Sequence, residues 1–178
     1  MKILIISEPR TGSYNLLKWF MLDDRFTVFR NTLKLNENKI EKSYEYNSEH
    51  LIVCSYPNGV DDYLPESLSF FDKIVCLHRE NFQKQLQSYM NAVSEFNWDS
   101  EYFYKDIHIK KEEIFIKKIK NKFNSNYLKN YFSISYEDLY EKNNINKLLD
   151  YIKIDSEYLD RFPFGRKYRV DMVNGKII

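Results

Sequence analysis

Glycine and proline are scarce in this chain, with 4 of each among 178 residues. That leaves no room for a low-complexity linker, and any glycine found in a loop asks for a local reason. Cysteine is limited to Cys54 and Cys76. No CxxC motif and no Cys/His cluster occurs, so neither zinc nor another metal is expected. Both cysteines lie in apolar runs, LIVCS and KIVCLH, and read as core thiols in adjacent strands. An excess of one charge is missing as well, the net value being +1. The global basic field that nonspecific nucleic-acid binding uses is therefore excluded, whereas a local positive cleft is not. No apolar run reaches the length of a membrane span. The apolar run at the N-terminus is four residues long and leads straight into a loop, unlike a signal peptide. A reducing, cytoplasmic setting fits this cysteine usage.

What the chain does contain is aromatic weight: 15 Tyr and 13 Phe, within an aromatic share of 17%. Its length suits one domain with a proper core. Four short apolar runs without clean alternation read as buried parallel strands: Lys2–Ser7, His50–Ser55, Lys73–His78 and Tyr131–Ser135. Phe26–Arg30 is a further candidate. Helical patterns fall between them, at Ser13–Leu22, Pro65–Phe71, Asn81–Glu95 and Lys110–Lys122, then at Glu137–Lys142 and Asn144–Tyr151. This alternation predicts a three-layer α/β sandwich with a mainly parallel central sheet. Right-handed crossovers would then gather the βα loops at one sheet edge. Residues 32–49 and 96–108 look unlike core and read as lids or substrate loops. The turn pair Asn174-Gly175 predicts a small hairpin near the C-terminus.

The most informative stretch is KILIISEPRTGSYNLLKWF. An apolar strand ends at Ser7-Glu8-Pro9, a short loop Arg10-Thr11-Gly12-Ser13 follows, and Tyr14 continues into a helix. Strand, small-residue loop and helix N-terminus together form an anion cradle, and Arg10 suits a phosphate or sulfate. The same residues also read as a tight βα turn whose Ser13 caps the helix. The GxxxxGK[ST] pattern of a Walker loop is absent, which disfavours ATP or GTP chemistry.

Two more constellations belong to the same predicted edge. Arg79 ends one strand, and Ser88 lies on the next helix. Both could face a single phosphate, or Arg79 could cap the edge or pair with Glu80. In FSISYEDL a strand runs into a helix whose first-turn acids, Glu137 and Asp138, suit the helix dipole. That leaves Tyr136 at the edge.

The combination of PRTGSYNLL, KIVCLHR followed by Ser88, and ISYEDL resembles the PAPS-dependent sulfotransferases, which use 3′-phosphoadenosine 5′-phosphosulfate. The resemblance covers 7–20, 50–90 and 131–142, in that order. It implies a P-loop NTPase-like fold and transfer of a sulfuryl group from PAPS to a hydroxyl or amine, releasing PAP (adenosine 3′,5′-bisphosphate) without a metal. It implies that Arg10 meets the leaving oxygen and that Thr11, Gly12, Ser13, Tyr14 and Asn15 complete or adjoin the cradle. Arg79 and Ser88 match the 3′-phosphate pair, Tyr136 matches a tyrosine near the adenine, and Arg166 and Lys167 echo a basic C-terminal element. The acceptor would be a small or glycan-like molecule rather than nucleic acid or a membrane.

A base must still take the acceptor's proton. Some members of that family carry a His at the end of the strand matching His50–Ser55. Here Ser55-Tyr56-Pro57 stands instead. Glu45 is the tentative base, Glu8 the alternative, and His108 a third option. Glu45 also reads as a solvated loop carboxylate. An acid at Glu8 would repel the ligand unless it had a task or a partner. Trp98 lies in the second loop segment, where it could line an acceptor pocket or simply pack. A nucleotide-binding module without catalysis is the rival reading. A kinase is less consistent with the missing Gly-Lys pair.

Overall fold

The computed structural model describes residues 1–8, 10–30, 35–36, 39–40, 48–55, 68–96, 117, 131–139, 142–155, 172–173 and 176–177. Five parallel strands form its centre: β1 (Lys2–Ser7), β2 (Phe26–Arg30), β5 (His50–Ser55), β6 (Lys73–His78) and β7 (Phe132–Ser135). Their spatial order is β2-β5-β1-β6-β7. This is the expected mainly parallel α/β sheet, and Phe26–Arg30 is its edge strand. The described helices are α1 (Ser13–Met21), α2 (Phe82–Phe96), α3 (Tyr136–Leu139) and α4 (Lys142–Ile152).

The apolar runs lack alternation because both sheet faces are covered. Ile3 and Ile5 of β1 face one core, with Leu16, Leu17, Trp19 and Phe20 of α1 and Leu148, Leu149 and Ile152 of α4. Leu4 and Ile6 face the other, with Leu51, Val53, Ile74, Leu68 and Phe71. In α2 the buried positions Gln85, Leu86, Tyr89 and Ala92 share one helical face. The hairpin expected near the C-terminus is present: β8 (Met172–Val173) pairs antiparallel with β9 (Lys176–Ile177), leaving two residues between them.

Two expectations need revision, and one segment gains detail. The segment 32–49 contains a second small hairpin, with β3 (Leu35–Asn36) antiparallel to β4 (Lys39–Ile40). Its strands are too short and polar to show a period. Glu137–Lys142 and Asn144–Tyr151 shift to α3 and α4, because Ser135 caps α3 one residue earlier by accepting from the Asp138 N–H at 2.9 Å. The two cysteines are not on adjacent strands. β1 separates β5 from β6, and Cys54 and Cys76 lie in cores on opposite faces. Of the predicted helices at Pro65–Phe71 and Lys110–Lys122, only 68–71 and Lys117 are described; 97–108 lie outside the described residues.

Sheet order decides where a site can form. From β1 the chain moves outward to β2, and from β6 it moves the other way to β7. The carboxyl ends of neighbouring β1 and β6 therefore bracket the topological switch point, where open α/β sheets leave a crevice.

Cys54 is 1% exposed and Cys76 2% exposed, and burial pushes the Cys76 thiol up to about 12. In a native thiol titration with an aromatic disulfide reagent, neither cysteine should react. Both should react in denaturant. Rapid native modification of either would contradict this packing.

Candidate functional site

The loop after β1 is built from its backbone outward. The Glu8 N–H donates to the Leu77 carbonyl at 3.0 Å, extending the β1–β6 pairing by one residue. Thr11 then donates its hydroxyl back to the Glu8 carbonyl at 2.9 Å, folding the loop on itself. Arg10 and Gly12 both adopt left-handed backbone, with φ of 61° and 73°. Glycine accepts that conformation freely, whereas at Arg10 it costs on the order of 1–3 kcal/mol. Such strain persists only where surrounding contacts hold it.

Gly12, not Ser13, is the N-cap of α1, and no side chain caps this helix. The Gly12 carbonyl accepts from the N–H groups of Asn15 at 3.0 Å and Leu16 at 3.2 Å. No acid lies in the first turn, so the positive end of α1 has no carboxylate of its own beside it. Thr11 and Ser13 are buried, Gly12, Tyr14 and Asn15 are half-buried, and Arg10 is exposed.

The β6–α2 turn meets this loop directly. The Arg79 N–H donates to Glu8 Oε2 at 3.1 Å. Arg79 Nη1 donates to the Arg10 carbonyl at 3.1 Å. Gln85 Nε2, on the buried face of α2, donates to the same Glu8 Oε2 at 2.9 Å. One turn further along α2, Ser88 Oγ accepts from Arg10 Nε at 3.1 Å. Arg10, Arg79 and Ser88 therefore form one connected cluster.

The β7–α3 junction supplies the third side. The Arg79 guanidinium stands over the Tyr136 ring, 4.6 Å from its centroid. Glu137 accepts from the Glu80 N–H at 3.0 Å and the Asn81 N–H at 3.3 Å. Its carboxylate also lies 3.7 Å from Arg79 Nε, an ion-pair distance too long for a hydrogen bond. Asn81 in turn caps α2, its side chain accepting from the Lys84 N–H at 3.0 Å. Desolvation pushes the Glu137 carboxyl upward, but the N–H bonds from Glu80 and Asn81, its own N–H and the Arg79 charge outweigh it and hold Glu137 below the usual carboxylate range.

Glu137 and Gln85 escaped sequence reasoning. Glu137 read as a helix-dipole acid, and its bonds to the turn after β6 span 57 and 56 residues of chain. Gln85 did leave a signal, a polar side chain on the apolar face of α2. Glu8 has the partners that an acid beside an anion loop requires. It is 1% exposed, and its Oε2 already accepts two donors. That placement runs against Glu8 as an alternative base, because a base needs an oxygen open to the acceptor. Glu45, Trp98, His108, Arg166 and Lys167 lie outside the described residues. Among the described residues, no group of His, Cys, Asp and Glu could hold a metal ion, and no helix is long and apolar enough to cross a membrane.

No family model and no curated protein matches the sequence. Among solved structures, the mouse sulfotransferase SULT7A1 complexed with PAP is similar, with a TM-score of 0.62 and 18% identity over 90% of this chain and 62% of that one. The two share an α/β fold, built in this chain on a parallel five-stranded sheet. At this identity the likeness is one of fold alone, and the chain spans less than two thirds of the sulfotransferase it matches.

The lowered Glu137 carboxyl makes a pH prediction. Its stabilising contribution is fully present above the unfolded-state value and is lost as pH falls through the lower folded value. The stability gap between wild type and Glu137→Gln should be widest above roughly pH 5 and should narrow below about pH 4. Urea midpoints measured across that range test this. A gap independent of pH would refute the assignment.

Proposed function

We propose that this chain is a PAPS-dependent sulfotransferase acting on a hydroxyl or amine of a small or glycan-like acceptor. The observation that carries the reading is the linked cluster of Arg10, Arg79 and Ser88, with Tyr136 beside it, at the switch point of a sulfotransferase fold. The solved neighbour's complex with PAP supports the choice of nucleotide. In this reading residues 1–178 act as a single sulfotransferase-like domain, and 32–49 and 96–108 contribute to the acceptor side.

Sulfuryl transfer asks the protein for position and charge rather than for covalent chemistry. By analogy with phosphoryl transfer, the group moves roughly in line between two oxygens, and negative charge grows on the departing one. Arg10 and the N–H groups of the loop would meet that charge, with Asn15 just beyond it. Because they are fixed beforehand, little reorganisation is needed at the moment of reaction. Arg79 and Ser88 would hold the 3′-phosphate, with Tyr136 near the adenine and Arg166 and Lys167 closing from the C-terminal segment. Glu45 remains the base in this proposal.

PAP binding tests the nucleotide assignment. At about one hundred times its Kd, PAP should stabilise the protein by about 2.7 kcal/mol, a shift of several degrees in Tm. No shift at millimolar PAP would sink the proposal. A shift that instead requires ATP and magnesium would favour a kinase. Arg10→Ala should lower turnover about 10²–10³-fold with the fold intact. Unchanged turnover would remove Arg10 from the chemistry. Binding of PAP without turnover on a broad acceptor panel would favour a nucleotide-binding module.

A further inference from the structure

We infer that Glu8 is a positioning residue, whose buried carboxyl closes a ring of hydrogen bonds that fixes where the Arg10 side chain stands. The catalytic meaning of that ring rests on the sulfotransferase reading above. The ring itself rests on geometry. Glu8 Oε2 accepts from the Arg79 N–H. Arg79 Nη1 donates to the Arg10 carbonyl, and Arg10 Nε donates to Ser88 Oγ. Ser88 stands one helical turn from Gln85, and Gln85 Nε2 returns to Glu8 Oε2. Each of the four bonds, between 2.9 and 3.1 Å, crosses between two of three segments: the loop after β1, the turn after β6 and helix α2.

Arg10 is the residue that needs such support. It combines an exposed side chain with left-handed backbone, and neither property fixes a guanidinium. The ring grips it twice, at its carbonyl and at Nε. Both grips depend on Arg79 and α2 keeping their distance from the loop, and Glu8 sets that distance by taking one donor from each. The side chain that does this must carry an acceptor oxygen and reach across the sheet edge from position 8. Glu and Gln meet both demands. Asp falls short by one methylene, and Ala removes the acceptor of two donors, one buried and one half-buried.

The test combines the variants Glu8→Ala, Glu8→Asp and Glu8→Gln with two readouts. The first is the Arg10 Nε–H resonance of the ligand-free protein, identified by its loss in Arg10→Lys. It should be resolved and protected from exchange in wild type, merge with those of solvent-exposed arginines in Glu8→Ala and Glu8→Asp, and return in Glu8→Gln. The second is turnover at saturating PAPS. Glu8→Ala should lower kcat roughly 10- to 100-fold. Glu8→Gln should recover most of that loss.

In an Arg10→Ala background the same Glu8→Ala change should cost less than about threefold, because its effect is routed through a side chain already gone. A merely structural glutamate would give additive losses instead, and additivity would overturn the inference. So would an unchanged Arg10 Nε–H signal in folded Glu8→Ala. If Glu8→Ala does not fold, Glu8→Asp carries the same comparisons. If wild type turns over no PAPS, the functional reading fails, and the resonance still decides whether Glu8 places Arg10.

Discussion

The parallel register of β1 against β6 sets Ser7 beside Leu77. One further backbone bond, from the Glu8 N–H to the Leu77 carbonyl, continues that pairing past the strand ends. Glu8 and Arg79 meet there because two adjacent parallel strands terminate level with each other. β1 is fixed on both faces, since its alternate residues feed two separate cores. A slip of one residue would exchange those faces and expose apolar side chains to the wrong partners. The site therefore inherits its precision from a strand buried on both faces, although Arg10 itself is exposed.

That frame explains how strain and charge coexist in the loop. Left-handed backbone at Arg10 is unfavourable in isolation, and a carboxyl buried at position 8 is unfavourable without donors. Each is offset by the same neighbours. The Arg79 N–H and Gln85 occupy the Glu8 oxygen, while Arg79 Nη1 occupies the Arg10 carbonyl. Donors held in this way before a ligand arrives are worth more than donors that must first be ordered.

The strands were legible because burial on both faces leaves an uninterrupted apolar run, and β1, β5 and β6 all carry one. Their spatial order was not legible. Local sequence does not record that β1 intervenes between β5 and β6, and the strand adjacency expected for Cys54 and Cys76 failed for that reason. Within the site, Arg10, Arg79, Ser88 and Tyr136 could be named from strand-end and helix positions. Their direct linkage could not, because Arg10 and Ser88 meet across 78 residues of chain. Glu137 illustrates the limit most clearly. Its position in a first helical turn already had a sufficient local explanation, so nothing called for the distant contact that it makes.

Glu137 and a ligand phosphate would both be drawn to Arg79, which raises the question of competition. The geometry separates them. Glu137 spends its hydrogen bonds on the Glu80 and Asn81 N–H groups and reaches Arg79 Nε only at 3.7 Å. Its hold on the guanidinium is therefore electrostatic rather than directional. The Arg79 guanidinium stands over the Tyr136 ring, and its Nη1 is bonded to the Arg10 carbonyl. An anion approaching this edge would add to that arrangement without first breaking the capping of the turn. Glu137 thus steadies the turn after β6 while Glu8 steadies the loop after β1. Two acids can stand beside Arg10 and Arg79 because each bonds chiefly to the backbone or framework that holds those cations.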